Sequence, residues 1–546
     1  MRPRVKFACQ CAFCGGIQGA LSGNSAHAEP LEGLRWSVEA AQPRTLAHGP
    51  NGDYSADSWD WRSGDNDHSG QSNLLGIFGD IGRGPGCALT GERSMRLQNV
   101  QCTRRRFTAG LFAGAFGAAA HLQGAQTEPP RVTNPRATDG DERMQPVWEE
   151  LLTITVGSRA GEGDFSGGSE RVLQAAVDSA ARNGGGTVKL LAGTWTLRNS
   201  VFLPSGIRLI GSGDDTVLTR PASVATTLAA DSDWYDQEIT LASGSGFQVG
   251  DGVLLRAVNP HNGAATVIKR TLTARSGNRF RLNNGLRENL WLSGKPTCST
   301  LYPLLTSEFT ADVVIEDLVL DGNRGQTEHL DGNYGGCIFL QDCNRYVIRR
   351  VTARNNNGDG ISFQICHDVT VEGCRSCDNA DLGVHPGSGS QRPIIRNNQL
   401  CRNSQGLFWC WGVKYGLAEG NLMEDNRLYG VSIGHNDTDN LMRDNRITGS
   451  GQFGVLFRNE DRGLDFWPNR NVLENNVIEN SGGDDGVAIE VTGKVRDLVF
   501  SGNTLRESRG PAQRTGIRIA AAAGSIRLES NSFSGLRTDV LDQRRG

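Results

Sequence analysis

The stretch GVSIGHNDTDN, residues 430–440, sets His435 and Asp437 directly after a short apolar run. An imidazole titrates near neutral pH, and a carboxylate beside it can orient it or share its proton, which is the chemistry of a general acid and base. His385, Asp461 and Asp359 lie in similar settings and are the other acid–base candidates. Lys414, Arg458, Glu460, Trp411 and Gln364 supply charges, a ring and an amide nearby, and are the candidate substrate-binding residues. A Lys or Arg can neutralise an acidic group, Lys being the better proton acceptor because Arg stays protonated.

Such residues act together only if the chain brings them to one surface, and a repeat does this. A Gly followed by alternating apolar residues recurs at 336, 360, 383, 406, 430, 454, 486 and 516, at first 23 or 24 residues apart and then 32 and 30. A second column, Asn398, Asn421, Asn445, Asn476, Asn503 and Asn531, runs in phase with it, each Asn two places before an apolar residue. Period-two alternation between Asn, Asp, Gly and Ser predicts short strands and turns. So short a unit cannot bury its own apolar face and must stack on its neighbours. Asn suits the turns because it tolerates left-handed backbone and its amides can bond along a stack.

Counted from each anchor Gly, positions +1 and +3 point inward and +2 and +4 outward, while equal offsets in successive coils lie ~4.8 Å apart. His385 is then at +2, Arg458 at +4 in line with Gly434 and Gly387, and His435 at +5 beside Asn459. Asn436 shares +6 with Glu460, and Lys414 at +8 lies at the same exit edge. Asp437 and Asp461 share +7, predicting a carboxylate pair near the ~5–5.5 Å spacing of retaining glycosidases. The small residues Gly387, Ser388, Gly389, Gly412 and Gly434 predict a groove beside these polar groups.

Composition agrees with one repetitive architecture. The 546 residues include 71 Gly but only 7 Tyr and 5 Met, which disfavours a helical bundle. A net charge of −4 gives no reason to expect a nucleic acid partner. Of the 13 cysteines, eight fall between Cys298 and Cys410 without a zinc-like paired set, and they are expected as buried thiols, with disulfides as the alternative. Rim carboxylates such as Asp437 with Glu460 leave Ca²⁺ as an option, although no recognisable loop fixes a ligand set and no metal site is assigned.

The stretch TRRRFTAGLFAGAFGAAA, residues 103–120, resembles a twin-arginine export signal. With Met95 just ahead of it, translation is expected to begin there, leaving 1–94 as an upstream misreading, 95–126 as the signal and 127–164 as a polar linker. The apolar run is too short to remain as a membrane span, and a periplasmic or extracellular protein follows. Residues 169–197, SERVLQAAVDSAARNGGGTVKLLAGTWTL, read as an amphipathic helix with an apolar stripe of Leu173, Ala176, Val177 and Ala180, followed by a first coil. Residues 225–310 break the rhythm and read as an inserted β-rich segment.

From 165 onward the chain resembles the right-handed parallel β-helix superfamily of pectate-lyase-like proteins, in which such a helix caps the open sheet ends. The resemblance implies an all-β fold: a right-handed parallel β-helix over 165–546, with regular coils over 336–540. NNNGDGIS and GVSIGH resemble segments of polygalacturonases and map a catalytic carboxylate onto Asp359. LGVHPGSGS is similar to the Asp-Pro-His segment of mannuronan epimerases, with His385 where that family has Asp and Gly387 where it has His. A secreted enzyme that cuts a polysaccharide as hydrolase or lyase is therefore expected, with Trp411 or Tyr415 stacking on a sugar ring and core packing as the alternative for Trp411. The alternative is a non-catalytic glycan-binding or structural β-helix.

Overall fold

The computed structural model describes residues 146–545. The expected export signal at 95–126, the residues upstream of it and the first part of the expected linker lie outside the described residues.

Successive coils stack their strands into long parallel ladders around a continuous apolar core, a right-handed parallel β-helix. The anchor positions form an eleven-stranded sheet that includes Ile361–Gln364, Leu382–Gly387, Gln405–Trp409, Tyr429–Ile433 and Phe453–Phe457. A second sheet holds 22 strands. In the anchor sheet Leu407 pairs with Val431 and Val431 with Val455, so equal offsets are neighbours through the strand itself. Val431, Ile433, Val455 and Phe457 are buried in the core, as period-two alternation requires.

The helix Glu170–Arg182 buries Leu173, Ala176, Val177 and Ala180 on the first coils. The linker expected to run to 164 ends earlier. Leu152–Gly157 is a strand paired in parallel with Gly186–Leu190, because alternating Ile154 and Val156 enter the core beneath the helix. Residues 225–299 contribute a separate six-stranded, mostly antiparallel sheet with its own core of Leu255, Phe280, Leu282 and others.

The Asn column is a hydrogen-bonded ladder. In each step from Asn398 through Asn421, Asn445, Asn476 and Asn503 to Asn531, the side-chain amide and backbone N–H donate to the next Oδ1 at 2.9–3.0 Å. The expected left-handed backbone falls one residue earlier. Asn397, Gly420, Asp444, Asn475, Gly502 and Ser530 have positive φ, and the ladder Asn itself does not. The left-handed residue turns the chain, while the Asn points inward to satisfy groups the turn would strand. Asn421→Ala removes the acceptor for two Asn398 donors and the donor to Ile395 O, all buried. A loss of about 3 kcal/mol is expected, read as a lower urea midpoint at unchanged slope.

Cysteine usage differs in one place from the expectation of thiols alone. Cys377 and Cys401, directly opposite in adjacent coils, form a disulfide, whereas Cys374 of the CxxC stays a buried thiol. Parallel register brings equal offsets of neighbouring coils together, while residues three apart in one strand segment face away from each other.

Candidate active site

Asp359 stands just ahead of its anchor Gly, where the Asn356 side chain donates to its carbonyl at 2.7 Å and shapes the turn. Its carboxylate is wholly buried. Oδ1 accepts the Leu382 N–H at 3.0 Å, and Oδ2 lies 2.7 Å from His385 Nδ1. His385 comes from Leu382–Gly387, opposite Ser362 of the coil before, with its ring edge-on to Phe408 of the coil after at 5.3 Å. The structure thus joins two acid–base candidates from adjacent coils into one Asp–His dyad.

A strap covers this dyad. At Gly332 a methyl group would sit 1.7 Å from Asp359 Oδ2 and 2.8 Å from His385 Nδ1, so backbone alone fits there. Ser362 Oγ donates to Gly332 O at 2.6 Å. The approach to the strap is tied down by His329 Nε2 on Asp381 Oδ2 at 2.6 Å and by Glu328, which pairs with Arg256 of the inserted sheet at 3.1 Å. The inserted segment therefore helps to hold the lid of the site. Gly332 and Ser362 were invisible as site residues in the sequence, because Ser362 is an unexceptional +2 residue and Gly332 lies outside the repeat.

Burial pushes the Asp359 carboxyl up to about 6, against the opposing pull of His385. Burial also disfavours the imidazolium, but the Asp359 carboxylate outweighs it and holds His385 up at about 10. The ring is therefore held protonated, with Nδ1–H on Asp359. Its Nε2 is buried and has no hydrogen-bond partner of good geometry, and the Cys410 side chain is a further polar group acting on it. Cys410 lies opposite Gly387 in the next coil and is half-buried.

The other candidates form a second cluster. Arg458 lies over the Phe408 ring at 4.1 Å, donates to Ser432 Oγ at 2.9 Å and pairs with Glu460 at 3.1 Å. Asp437 is wholly buried, and its oxygens accept the Val413 and Gly434 N–H groups at 2.8 and 2.9 Å. Burial raises its pKa to about 6. It closes a turn and has no oxygen left free to face a ligand.

The expected Asp437–Asp461 pair does not form. Asn440 stacks on Asn471, 31 positions on, so the extra residues of that longer coil bulge out between Phe457 and Asn469. Asp461 goes with the bulge, where Oδ1 accepts the Gly463 and Phe466 N–H groups. The spacing of a retaining glycosidase is absent because the offset rule fails once a coil changes length. His435 likewise secures the bulge: Nδ1 accepts the Arg462 N–H at 3.0 Å, and its ring packs on Trp411 and Phe466. Burial lowers its pKa.

Of the five small residues expected to clear space, Gly434 and Gly387 face filled space, whereas a methyl at Gly389 would meet nothing within 4 Å. A methyl at Gly434 would meet Arg458 at 2.0 Å, and one at Gly387 would meet the buried Gln364 at 2.4 Å. Lys414 is half-buried and continues the strand register through bridges to Gln391 and Thr438. Trp411 is 42% exposed, with Arg462 over its ring at 4.7 Å. An open cavity of about 530 Å³ lies elsewhere, lined by Asp321, Asn323, Arg324, Asn355, Asn357 and Asp378. Among the described residues no His, Cys, Asp and Glu side chains cluster in a way that could hold a metal ion, and no helix is long and apolar enough to cross a membrane.

Residues 336–505 match the family model described as the right handed beta helix region. No curated protein sequence matches the chain. Among solved structures, the chain is similar to the A-module of the mannuronan C-5 epimerase AlgE4 of Azotobacter vinelandii, at 16% identity and a TM-score of 0.41 over 68% of this chain and 92% of that one. The Streptococcus pneumoniae surface protein and adhesin PfbA is similar at 14% identity and a TM-score of 0.43, over 68% and 95%. The gp54 tailspike of Acinetobacter baumannii bacteriophage AP22, solved with capsular saccharide, is similar at 15% identity and a TM-score of 0.32, over 68% and 69%.

Proposed function

We propose that the protein is an exported enzyme acting on a polysaccharide, with Asp359 and His385 at its chemical centre. One observation carries this reading: a carboxylate and an imidazole, both wholly buried, are joined at 2.7 Å under a backbone strap. A purely structural coil gains little from that arrangement, because burying ionisable groups costs free energy that an apolar pair would not. Perturbed and paired titratable groups concentrate at working sites. The cavity lined by Asp, Asn and Arg side chains supports a ligand rich in hydroxyl groups.

With Asp437 and Asp461 in separate turns, proton transfer by the dyad is a better supported centre than paired carboxylates. Export is supported by the arginine-led stretch at 103–120 and by the Cys377–Cys401 disulfide, a bond favoured in oxidising compartments. The test is a panel of acidic, neutral and acylated polysaccharides, read for ultraviolet absorbance, new reducing ends and released acyl groups. Turnover in any channel that disappears in His385→Gln, while the variant remains folded, is the expected result. Retained glycan binding without turnover of any panel member would instead identify a binding module.

A further inference from the structure

The Asp359–His385 dyad has a free end, Nε2, and the strand of the next coil carries a thiol, Cys410, opposite Gly387. His385 is 3% exposed and Asp359 not at all, and the remaining ring nitrogen, Nε2, is buried without a hydrogen bond. Cys410 belongs to the next coil, bridged through its backbone to Gly387: its N–H donates to Pro386 O at 3.1 Å, and its O accepts the Ser388 N–H at 2.8 Å. Both His385 and Cys410 point outward, at +2 and +4 of adjacent coils, which makes them diagonal neighbours on one sheet face.

Among the described cysteines, Cys298, Cys337, Cys343, Cys366 and Cys374 are buried and Cys377 is bonded to Cys401, so Cys410 is the free thiol with access to solvent. We infer that Asp359, His385 and Cys410 form a relay in which the Cys410 thiol is the nucleophile and the substrate is an acyl ester carried on a glycan. The glycan part rests on the function proposed above; the relay itself rests on the Asp359–His385 bond, the unpartnered Nε2 and the register that sets Cys410 on the adjacent strand. An imidazole oriented by a buried carboxylate and facing a thiol is the arrangement that activates nucleophilic cysteines, and the carbonyl carbon of an ester is the electrophile such a thiolate attacks.

The balance of the reaction is complete without a cofactor. The reaction starts from the Cys410 thiolate with a proton on Nε2. Sγ attacks the ester carbonyl carbon and forms a carbon–sulfur bond, the carbon–oxygen bond to the sugar breaks, and Nε2 returns its proton to the departing sugar oxygen. A water then adds to the thioester carbonyl while giving a proton to Nε2, the carbon–sulfur bond breaks, and the carboxylic acid leaves. Asp359 keeps Nδ1–H in place throughout and acts as a positioning residue.

The test uses the full chain with two probes, iodoacetamide and 4-nitrophenyl acetate, read site by site by peptide mass mapping so that other thiols do not confuse the signal. Cys410 is expected to alkylate at least tenfold faster than it does in His385→Gln, and to keep reacting below pH ~7, where a free thiol of pKa ~8.5 is mostly protonated. The ester probe is expected to leave an acetyl group on Cys410 and none in Cys410→Ser. The pH profile of the unaltered protein decides the matter even if the His385 variant fails to fold: a rate that rises only around pH ~8.5 overturns the relay. So does acetyl transfer that persists in Cys410→Ser. An activated Cys410 together with a glycan panel that shows no turnover would instead remove the glycan reading and leave the relay standing.

Discussion

Asp359→Asn is expected to lower turnover by about 10³- to 10⁴-fold while leaving substrate affinity nearly unchanged. The carboxylate accepts Nδ1–H at 2.7 Å and outweighs the burial that disfavours the imidazolium. An amide in its place can present N–H to the same nitrogen and force the proton onto the other side of the ring, so the ring would lose both its orientation and its charge. The pH profile carries the same information. In the unaltered protein, activity is expected between two limbs, one near the Asp359 value of about 6 and one near the His385 value of about 10, both belonging to the coupled pair. In Asp359→Asn the acid limb should disappear. A profile that keeps both limbs in the variant would show that another pair governs activity.

The sign for stability follows from the same two values. Both folded-state values are raised, so each group contributes stability that is present below its ordinary value and lost as pH rises through the folded one. For Asp359 that window runs from the ordinary carboxyl value of 3.8 up to about 6, and for His385 from 6.5 up to about 10. The urea midpoint should therefore be higher at about pH 5 than at about pH 9, and His385→Gln should flatten the upper part of that slope.

Gly332→Ala is the second change with a large expected effect, although it adds only a methyl group. That methyl would lie 1.7 Å from Asp359 Oδ2, 2.4 Å from its Cγ and 2.8 Å from His385 Nδ1, and none of these atoms has room to retreat in a wholly buried site. Either the strap lifts and admits water, or the carboxylate turns and releases the imidazole. A displacement of ~1 Å at a reacting group is enough to lower turnover by ~10²-fold. The coils below draw their stability from the apolar core and the Asn ladder, so the thermal midpoint should move little. Gly483→Ala is the matched control, since a methyl there meets nothing closer than Asp485 Oδ1 at 3.9 Å. Equal activity in the two variants would mean that the strap does not define the site.

The repeat was legible because the physical rule behind it is local and recurs. A coil of 23 or 24 residues must place its apolar side chains inward in every turn, and the phase of Gly anchors and Asn columns records this directly. Val431, Ile433, Val455 and Phe457 as core, the capping helix and its buried stripe could all be read from types and spacing. Asp359 and His385 were also legible as polar residues in neighbouring coils, but only as separate candidates. Their bond depends on how far the chain swings out before Gly360, which the strap and the Asn356 turn set.

Where the offset rule failed, the cause was a coil of another length. His435, Asp437 and Asp461 share a neighbourhood in sequence register, yet the longer coil after Gly454 carries Asp461 into a bulge, His435 accepts the Arg462 N–H of that bulge, and Asp437 is spent on the Val413 and Gly434 N–H groups. The sequence by itself determined the solenoid, its inward and outward faces and the surface on which chemistry could occur, because side-chain alternation follows from strand geometry alone. Only the tertiary structure decided which polar residues were left to turns and which were joined into a dyad. Burial, the strap at Gly332 and the bond between Asp359 and His385 arise from segments that meet across coils, and no spacing within a single coil encodes them.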